Sequence, residues 1–192
     1  QYVFTENGLP AGLFCINSGK IKLTTTGYDG KEQILRLVKS GDIVGYRALL
    51  SNERYHCSAV TLEDASICII DKKYFFEAIE SSPKLMFEVV RKMSQDLKVA
   101  EDHIVSLSQK NVRERMAEAL LFLKATYGFE EDNQTINVSL SREEIADYVG
   151  TSTESCIRLL SEFNNDKLIS LKGKKISIVN LQKLIQTANI ED

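Results

Sequence analysis

The segment that most limits how this chain can fold runs from Ser141 to Val179, SREEIADYVGTSTESCIRLLSEFNNDKLISLKGKKISIV. Ser141 and Glu144 stand in an S-x-x-E spacing, in which the serine accepts from an early helical amide and the glutamate reaches back to the cap. They predict the start of a short helix. Gly150 offers the left-handed backbone that a sharp turn needs, and Thr151 or Ser152 can cap a second helix reaching to about Asn164. LISL, KGKK and ISIV follow, apolar at alternate positions around Gly173, and predict a β-hairpin. Two helices, a tight turn and a hairpin make a winged helix-turn-helix, a unit that lays its second helix in the major groove of DNA.

That second helix divides into two faces. Cys156, Leu159, Leu160 and Phe163 recur at helical spacing and point to a core, while Thr153, Glu154, Ile157, Arg158 and Ser161 lie on the other side. The outer set suits a groove: Arg donates twice to guanine, Glu accepts from cytosine, and an aliphatic side chain touches a thymine methyl. A plainer reading exists for the same residues. Glu154 can be the capping partner of Thr151, and Glu154 with Arg158 can be an i,i+4 ion pair. Spacing alone leaves both open.

Charge does not decide between them. The 192 residues carry a formal charge of −3, without the basic footprint usual in nucleic-acid binding. Binding must then rest on local geometry, with Arg142, Ser152, Ser161, Lys172, Lys174 and Lys175 as candidate phosphate contacts. A solvated hairpin tip accounts for those lysines equally well. No signal peptide, membrane-spanning run or lipidation motif is present, which predicts a cytoplasmic protein with no membrane partner. Cys15, Cys57, Cys68 and Cys156 show no metal-ligand spacing. They are expected to be reduced, with Cys15, Cys68 and Cys156 acting as small hydrophobes, and neither a metal site nor a disulfide framework is expected. Gln1 already lies inside a strand pattern, so a natural N-terminus is expected upstream of it.

Seven of the ten glycines fall in the first 45 residues and separate short apolar runs at 13–16, 20–26, 32–38 and 66–70. Asp29–Gly30 marks a hairpin between two of them, and the whole predicts a β-sandwich or jelly roll. From Lys72 the pattern turns helical. Pro83 opens a long helix to about Ser108, along which Met86, Val90, Met93, Leu97, Ala100, Ile104 and Leu107 recur at spacings of four and three. Those are the a and d positions of a two-helix coiled coil. The alternative, a helix lying on its own domain, needs a wider stripe, which Phe87 and Val89 can supply. A further helix is predicted from Val112 to Tyr127, after a break near Gln109–Asn111.

This order of parts resembles the Crp/Fnr family, that of the catabolite activator protein and the fumarate–nitrate respiratory regulator. The resemblance covers essentially the whole chain and rests on LFCINSGKIKL, KSGDIVGYRALL, NVRERMAEALLFL and SREEIADYVGTSTESCIRLLSEF with LKGKKISI. GDIVGYRALLSNERYHCSAV is nearer to the respiratory branch. The resemblance implies an α+β fold in three parts: a jelly-roll, cyclic-nucleotide-binding-like sensor at 1–82, a dimerisation helix and hinge at 83–110, and the winged helix-turn-helix at 111–192. It implies a dimeric, sequence-specific transcriptional regulator whose partners are palindromic DNA with a TGA-like half-site core, a second copy of itself, and RNA polymerase. Glu154 and Arg158 match the family's Glu and Arg four apart, which favours base reading; Thr153 and Ile157 occupy the variable positions.

The sensor departs from the family pattern. Where cyclic-AMP binders hold the ribose with a Glu, this chain has Tyr46; where they hold the phosphate with Arg–Ser, it has His56–Cys57. The adenine-binding Thr–Ser pair is replaced by Ala100 and Glu101. A buried phosphate would lack its charge partner, so cyclic AMP is not expected. Arg47 and Arg54 stand near but not at the matching place. The respiratory branch carries its iron–sulfur cysteines in an upstream segment, and Cys15 and Cys57 do not replace them by spacing. Haem on His56 or Cys57 is not expected either, since a His beside a Cys is more often a packed or solvated pair. Tyr46, Arg47, Arg54, His56, Cys57, Ala100 and Glu101 mark the expected effector pocket; the effector, or whether one is needed, is not legible.

An effector there would bias the packing of the long helix, and a hinge near Asn111 would set the spacing of two recognition helices. A metal-dependent β-roll enzyme is excluded by the two histidines, His56 and His103, and the lack of any catalytic constellation. An interaction module, effector-independent or using the winged unit for a protein partner, remains the alternative.

Overall fold

The computed structural model describes residues 1–190. The chain forms two compact units, Gln1–Ile104 and from Val105 on.

In the first unit, β1 (Tyr2–Phe4), β2 (Gly12–Ser18), β3 (Ile21–Thr26), β4 (Glu32–Val38), β5 (Ile43–Val44), β6 (Ser58–Thr61) and β7 (Ser66–Asp71) build two antiparallel sheets. Their orders are β1-β6-β3-β4 and β5-β2-β7. The period-two pattern of β2 sorts its side chains between two cores. Phe14 and Ile16 meet Ile21, Val38, Val44 and Ala59 between the sheets. Leu13 and Cys15 face the other way, onto Tyr46 and Leu49 of α1 (Tyr46–Ser51), Phe75 and Ile79 of α2 (Lys72–Ser81), and Val89 of α3 (Pro83–Gln109). A Cβ on Gly12 would lie 2.2 Å from the Ile70 carbonyl oxygen, so glycine there permits the close pairing of β2 with β7. The four predicted strands are present. β5, β6 and α1 are two to six residues long and fall where no periodicity marked them. Cys68 is exposed rather than packed as a small hydrophobe, on a strand of which only Ile67 is partly buried.

Helix α3 has 27 residues, of which Val89 alone is buried. Met86, Val90, Met93, Leu97, Ile104 and Leu107 are between 38% and 64% exposed, Ala100 is also exposed, and so is Phe87. The wide stripe that would seat the helix on its own domain is therefore confined to its first turns.

The second unit holds α4 (Val112–Tyr127), α5 (Arg142–Val149), α6 (Thr153–Asn165), β8 (Ile169–Lys172), β9 (Lys175–Ile178) and α7 (Leu181–Ala188). The expected capping box of Ser141 with Glu144 forms, and a second, Asn111 with Glu114, opens α4. Gly150 closes α5 in the left-handed region at φ 73°. Ser152, not Thr151, caps α6, its Oγ accepting from the Ser155 amide. Met116, Leu120, Leu160, Phe163, Leu168 and Leu184 fill the core. The chain breaks helix at Lys110, as the sequence indicated, but that break is braced: Arg115 donates to the carbonyls of Lys110 at 2.9 Å, Val149 at 3.0 Å and Gly150 at 3.1 Å. Lys110 Nζ in turn reaches Glu118 and the Ala188 carbonyl, each at 3.0 Å. The hinge expected near Asn111 is thus built into the second unit, and the boundary between units falls inside α3.

The two faces of α6 give opposite expectations. Leu160→Ala should lower the unfolding free energy by about 2–5 kcal/mol through the cavity it leaves. Ile157→Ala, one turn earlier on the outer face, should change it by no more than about 0.5 kcal/mol. Urea denaturation of the two variants checks both.

Candidate nucleic-acid interface and sensor site

The exposed side of α6 carries the predicted set. Ile157 is 48% exposed, Glu154, Arg158 and Ser161 are exposed, and Thr153 is half-buried. Arg158 Nη1 donates to Glu162 at 3.1 Å, and Glu162 also accepts from Arg113 of α4 at 3.0 Å. Arg113 reaches Asp166 at 2.7 Å and lies 4.8 Å over the Phe163 ring. Two guanidinium groups therefore neutralise the acidic end of α6. The Ser161 hydroxyl donates back to the Ile157 carbonyl at 2.9 Å.

The wing pairs Lys172 with Lys175 around a two-residue turn in which Gly173 takes positive φ. Lys172 and Lys174 are exposed. The other predicted phosphate contacts have structural work. Arg142 Nη2 donates to the Gly173 carbonyl at 2.8 Å, tying the start of α5 to the wing tip, and its Nη1 is buried without a hydrogen-bond partner. Lys175 pairs with Glu130 at 2.7 Å, and the Ser152 side chain is the α6 cap. Cys156 is fully buried behind this surface, and burial pushes its thiol up to about 11.

In the sensor unit the predicted pocket residues separate. Tyr46 is buried, and its hydroxyl donates to the Asp96 carboxylate on α3. Burial, with the Asp96 hydrogen bond, raises that hydroxyl well above the usual tyrosine range. Arg36 of β4 donates to the same carboxylate at 2.5 Å, with both side chains about four-fifths buried. Lys92 bridges Asp96 at 3.1 Å and Asp42 at 3.4 Å. At the rim, Arg47 meets His56 Nδ1 at 3.1 Å and Glu53 at 3.4 Å. Burial, then the Arg47 charge, holds the imidazole below its ordinary value. Arg54 is spent on the Asn7 carbonyl at 2.7 Å. Cys57 is buried and its thiol pushed up to about 11 by desolvation. Ala100 and Glu101 lie exposed on α3. Sequence reasoning missed Arg36, Asp42, Lys92 and Asp96; an arginine inside the apolar run EQILRLV was the available signal. Among the described residues, no His, Cys, Asp and Glu side chains gather as a metal site, and no helix is long and apolar enough to cross a membrane.

Residues 1–82 match the family described as a cyclic nucleotide-binding domain, and residues 114–187 match the Crp-like helix-turn-helix domain. The fumarate and nitrate reduction regulatory protein of Vibrio cholerae is 32% identical over 193 residues, spanning 99% of this chain and 76% of that protein. The protein of the same name from Yersinia pestis is 34% identical, spanning 98% and 75%. The chain belongs to the Crp/Fnr family. FixK2 from Bradyrhizobium japonicum shares the fold, with a TM-score of 0.87 at 22% identity over 100% of this chain and 94% of that one. As a Crp/Fnr member the protein is a transcriptional regulator, not an enzyme, with a cyclic-nucleotide-binding-like sensory unit and a DNA-binding helix-turn-helix.

Asp96 holds the regulator's sensor together, because removing one partner of a buried ion pair strands the other charge. Asp96→Ala should cost about 3 kcal/mol in urea denaturation. Replacing both partners, Arg36→Met with Asp96→Leu, should recover the share due to the stranded Arg36 but not that of the buried Tyr46 hydroxyl, which still loses its acceptor.

Proposed function

We propose that this regulator works as a homodimer that reads a palindromic site through the outer face of α6 and responds to an effector other than cyclic AMP. The carrying observation is that Ile157 and Arg158 stand exposed on a helix whose opposite face is fully buried. Arg158 donates to guanine, Glu154 accepts from cytosine, and Thr153 and Ile157 set the neighbouring preference. Magnitudes favour the exchange. An exposed i,i+4 pair such as Arg158–Glu162 is worth about 0.3–0.5 kcal/mol, whereas a bidentate guanine contact discriminates by about 1–3 kcal/mol. Lys172 and Lys174 of the wing and the amides at the capped start of α6 supply phosphate contacts. Arg142 acts as the strut that keeps the wing in place.

The seven exposed seam residues of α3, from Met86 to Leu107, support pairing with a second copy. The two recognition helices then sit one DNA turn, roughly 34 Å, apart. The division 1–82, 83–110 and 111–192 describes sensor, dimer helix and DNA-binding part, acting in the cytoplasm beside RNA polymerase. Cyclic AMP is disfavoured because Tyr46 is committed to Asp96 and Cys57 is a buried neutral thiol where a phosphate would need a cation.

Selection of duplexes from a random library should return a two-fold symmetric site, and Arg158→Ala should lose one G·C pair per half-site while other positions hold. A library that returns no motif under any effector condition points instead to a protein partner for the winged unit. Leu97→Glu, exposed in the single chain, should give a folded monomer by sedimentation and abolish binding to the full palindrome; a dimer that persists rules out this seam.

A further inference from the structure

Glu162 lies between two guanidinium groups and gives each a different oxygen. Its Oε1 accepts from Arg158 Nη1 at 3.1 Å, and its Oε2 accepts from Arg113 Nη1 at 3.0 Å. Arg158 stands one turn earlier on α6, whereas Arg113 belongs to the first turn of α4. Arg113 is fixed by further contacts of its own. Its Nη2 donates to Asp166 at 2.7 Å, and its guanidinium lies 4.8 Å over the ring of the fully buried Phe163. The carboxylate is therefore anchored from α4 and turns its other oxygen toward the outer face of α6. Exposure rises in the same direction, from 38% for the Arg113 side chain to 40% for Glu162 and 65% for Arg158. In an isolated i,i+4 pair both side chains swing together. Here Glu162 is held back, and Arg158 is the partner that can leave.

We propose, resting on Arg158 as the guanine contact, that Glu162 is a positioning residue for base reading: an electrostatic latch that Arg113 fixes and a correctly placed guanine opens. Phosphates flank every base step, so an unrestrained arginine on this face takes the nearest one and adds affinity for any sequence. Paired with Glu162, Arg158 is neutralised and makes no such contact. A bidentate guanine contact outweighs an exposed i,i+4 pair, and the exchange takes place there. Arg113 sets how hard the latch holds. By sharing the carboxylate it weakens the grip on Arg158 and keeps the exchange within reach. The two ends of the chain of charges then have opposite effects. Without Glu162 the reading arginine is indiscriminate; without Arg113 it is held too tightly.

Fluorescence anisotropy of the full chain is read with two labelled duplexes, the symmetric site that the parent selects from a random library and a scrambled duplex of equal length. Glu162→Gln keeps the shape of the side chain and removes its charge. It should tighten the scrambled duplex more than the selected one, and steepen the log–log salt slope of the scrambled duplex by about 0.9, the mark of one further phosphate contact. Between roughly 200 and 50 mM salt that is an extra gain of about 3.5-fold. Glu162→Ala should give the same two changes and serves if the amide disturbs folding. Arg113→Met should weaken the selected duplex by about twofold to fivefold, the worth of one exposed ion pair. Combined with Glu162→Gln, it should no longer do so. Damage to the fold lowers every affinity together, so the opposite signs separate the latch from a structural role. An unchanged salt slope in both Glu162 variants overturns the latch. So does an Arg113→Met loss that persists without Glu162, which marks Arg113 as a direct phosphate contact. Arg158→Ala distinguishes the two levels: if it keeps the parent's G·C preference, or if the parent selects no site, base reading by Arg158 has itself failed and the latch falls with it.

Discussion

An arginine on the inward face of a β-strand must meet a carboxylate, and that requirement organises the sensor unit. Arg36 stands opposite Leu23, on the face that Ile21 and Val38 give to the inter-sheet core. A charge left alone there would cost several kcal/mol even after relaxation, by the usual burial penalty of about that size. Asp96 answers it, and the same carboxylate takes the Tyr46 hydroxyl and the Lys92 ammonium. Strand β4, helix α1 and helix α3 converge on one group. The consequence for α3 is that polar contacts, with Val89, seat it on the sandwich. Its apolar residues are not consumed in doing so, and most of them remain exposed in the single chain.

Arginine plays the bracing part in the second unit too, by a different route. Helix ends leave carbonyls without intrahelical partners. Arg115 satisfies those of Val149 and Gly150 at the end of α5 together with that of Lys110, so a side chain of α4 fixes the turn that aims α6. Arg142 does the same for the wing by holding the Gly173 carbonyl. Each is a charge-assisted bond of the stronger kind, and each fixes a segment whose position decides what α6 presents. These guanidiniums are thereby spent inside the fold, which reduces the cations left for a partner.

Where a signal was local, the sequence carried it. The S-x-x-E spacing at Ser141 and Glu144, the left-handed Gly150 and the helix opened by Pro83 are rules within one or two turns of chain, and they held. The division of α6 into Leu160 and Phe163 against Ile157 and Arg158 needed only the 3.6 period. What failed to show was long-range. Asp96 lies sixty residues from Arg36, and a bulge at Leu35 shifts β4 so that simple alternation puts Arg36 with the wrong neighbours. Cys15 and Cys68, scattered along the chain, become adjacent only because β2 pairs with β7. Arg142 and Lys175 looked like free cations because their partners, the Gly173 carbonyl and Glu130, are fixed by tertiary packing. Matching positions to a family pattern likewise says which residue stands there, not whether its polar atoms are already engaged, as those of Tyr46 and Arg54 are.

The scarcity of free cations has a functional logic. Non-specific affinity for DNA is almost wholly the phosphate term, whereas discrimination comes from base edges. Under the proposed function, a chain of net charge −3 that commits most of its guanidiniums internally would bind arbitrary DNA weakly while leaving the exposed Arg158 and Ile157 for the groove. One such unit alone would hold its site poorly. On the proposed pairing, coupling two units through α3 would make the second half-site contact intramolecular, which raises affinity for a correctly spaced palindrome without raising it for single half-sites. Weak single-unit binding would then make the geometry of the proposed pair decisive, and a sensor that altered how α3 is held would switch occupancy without touching the DNA.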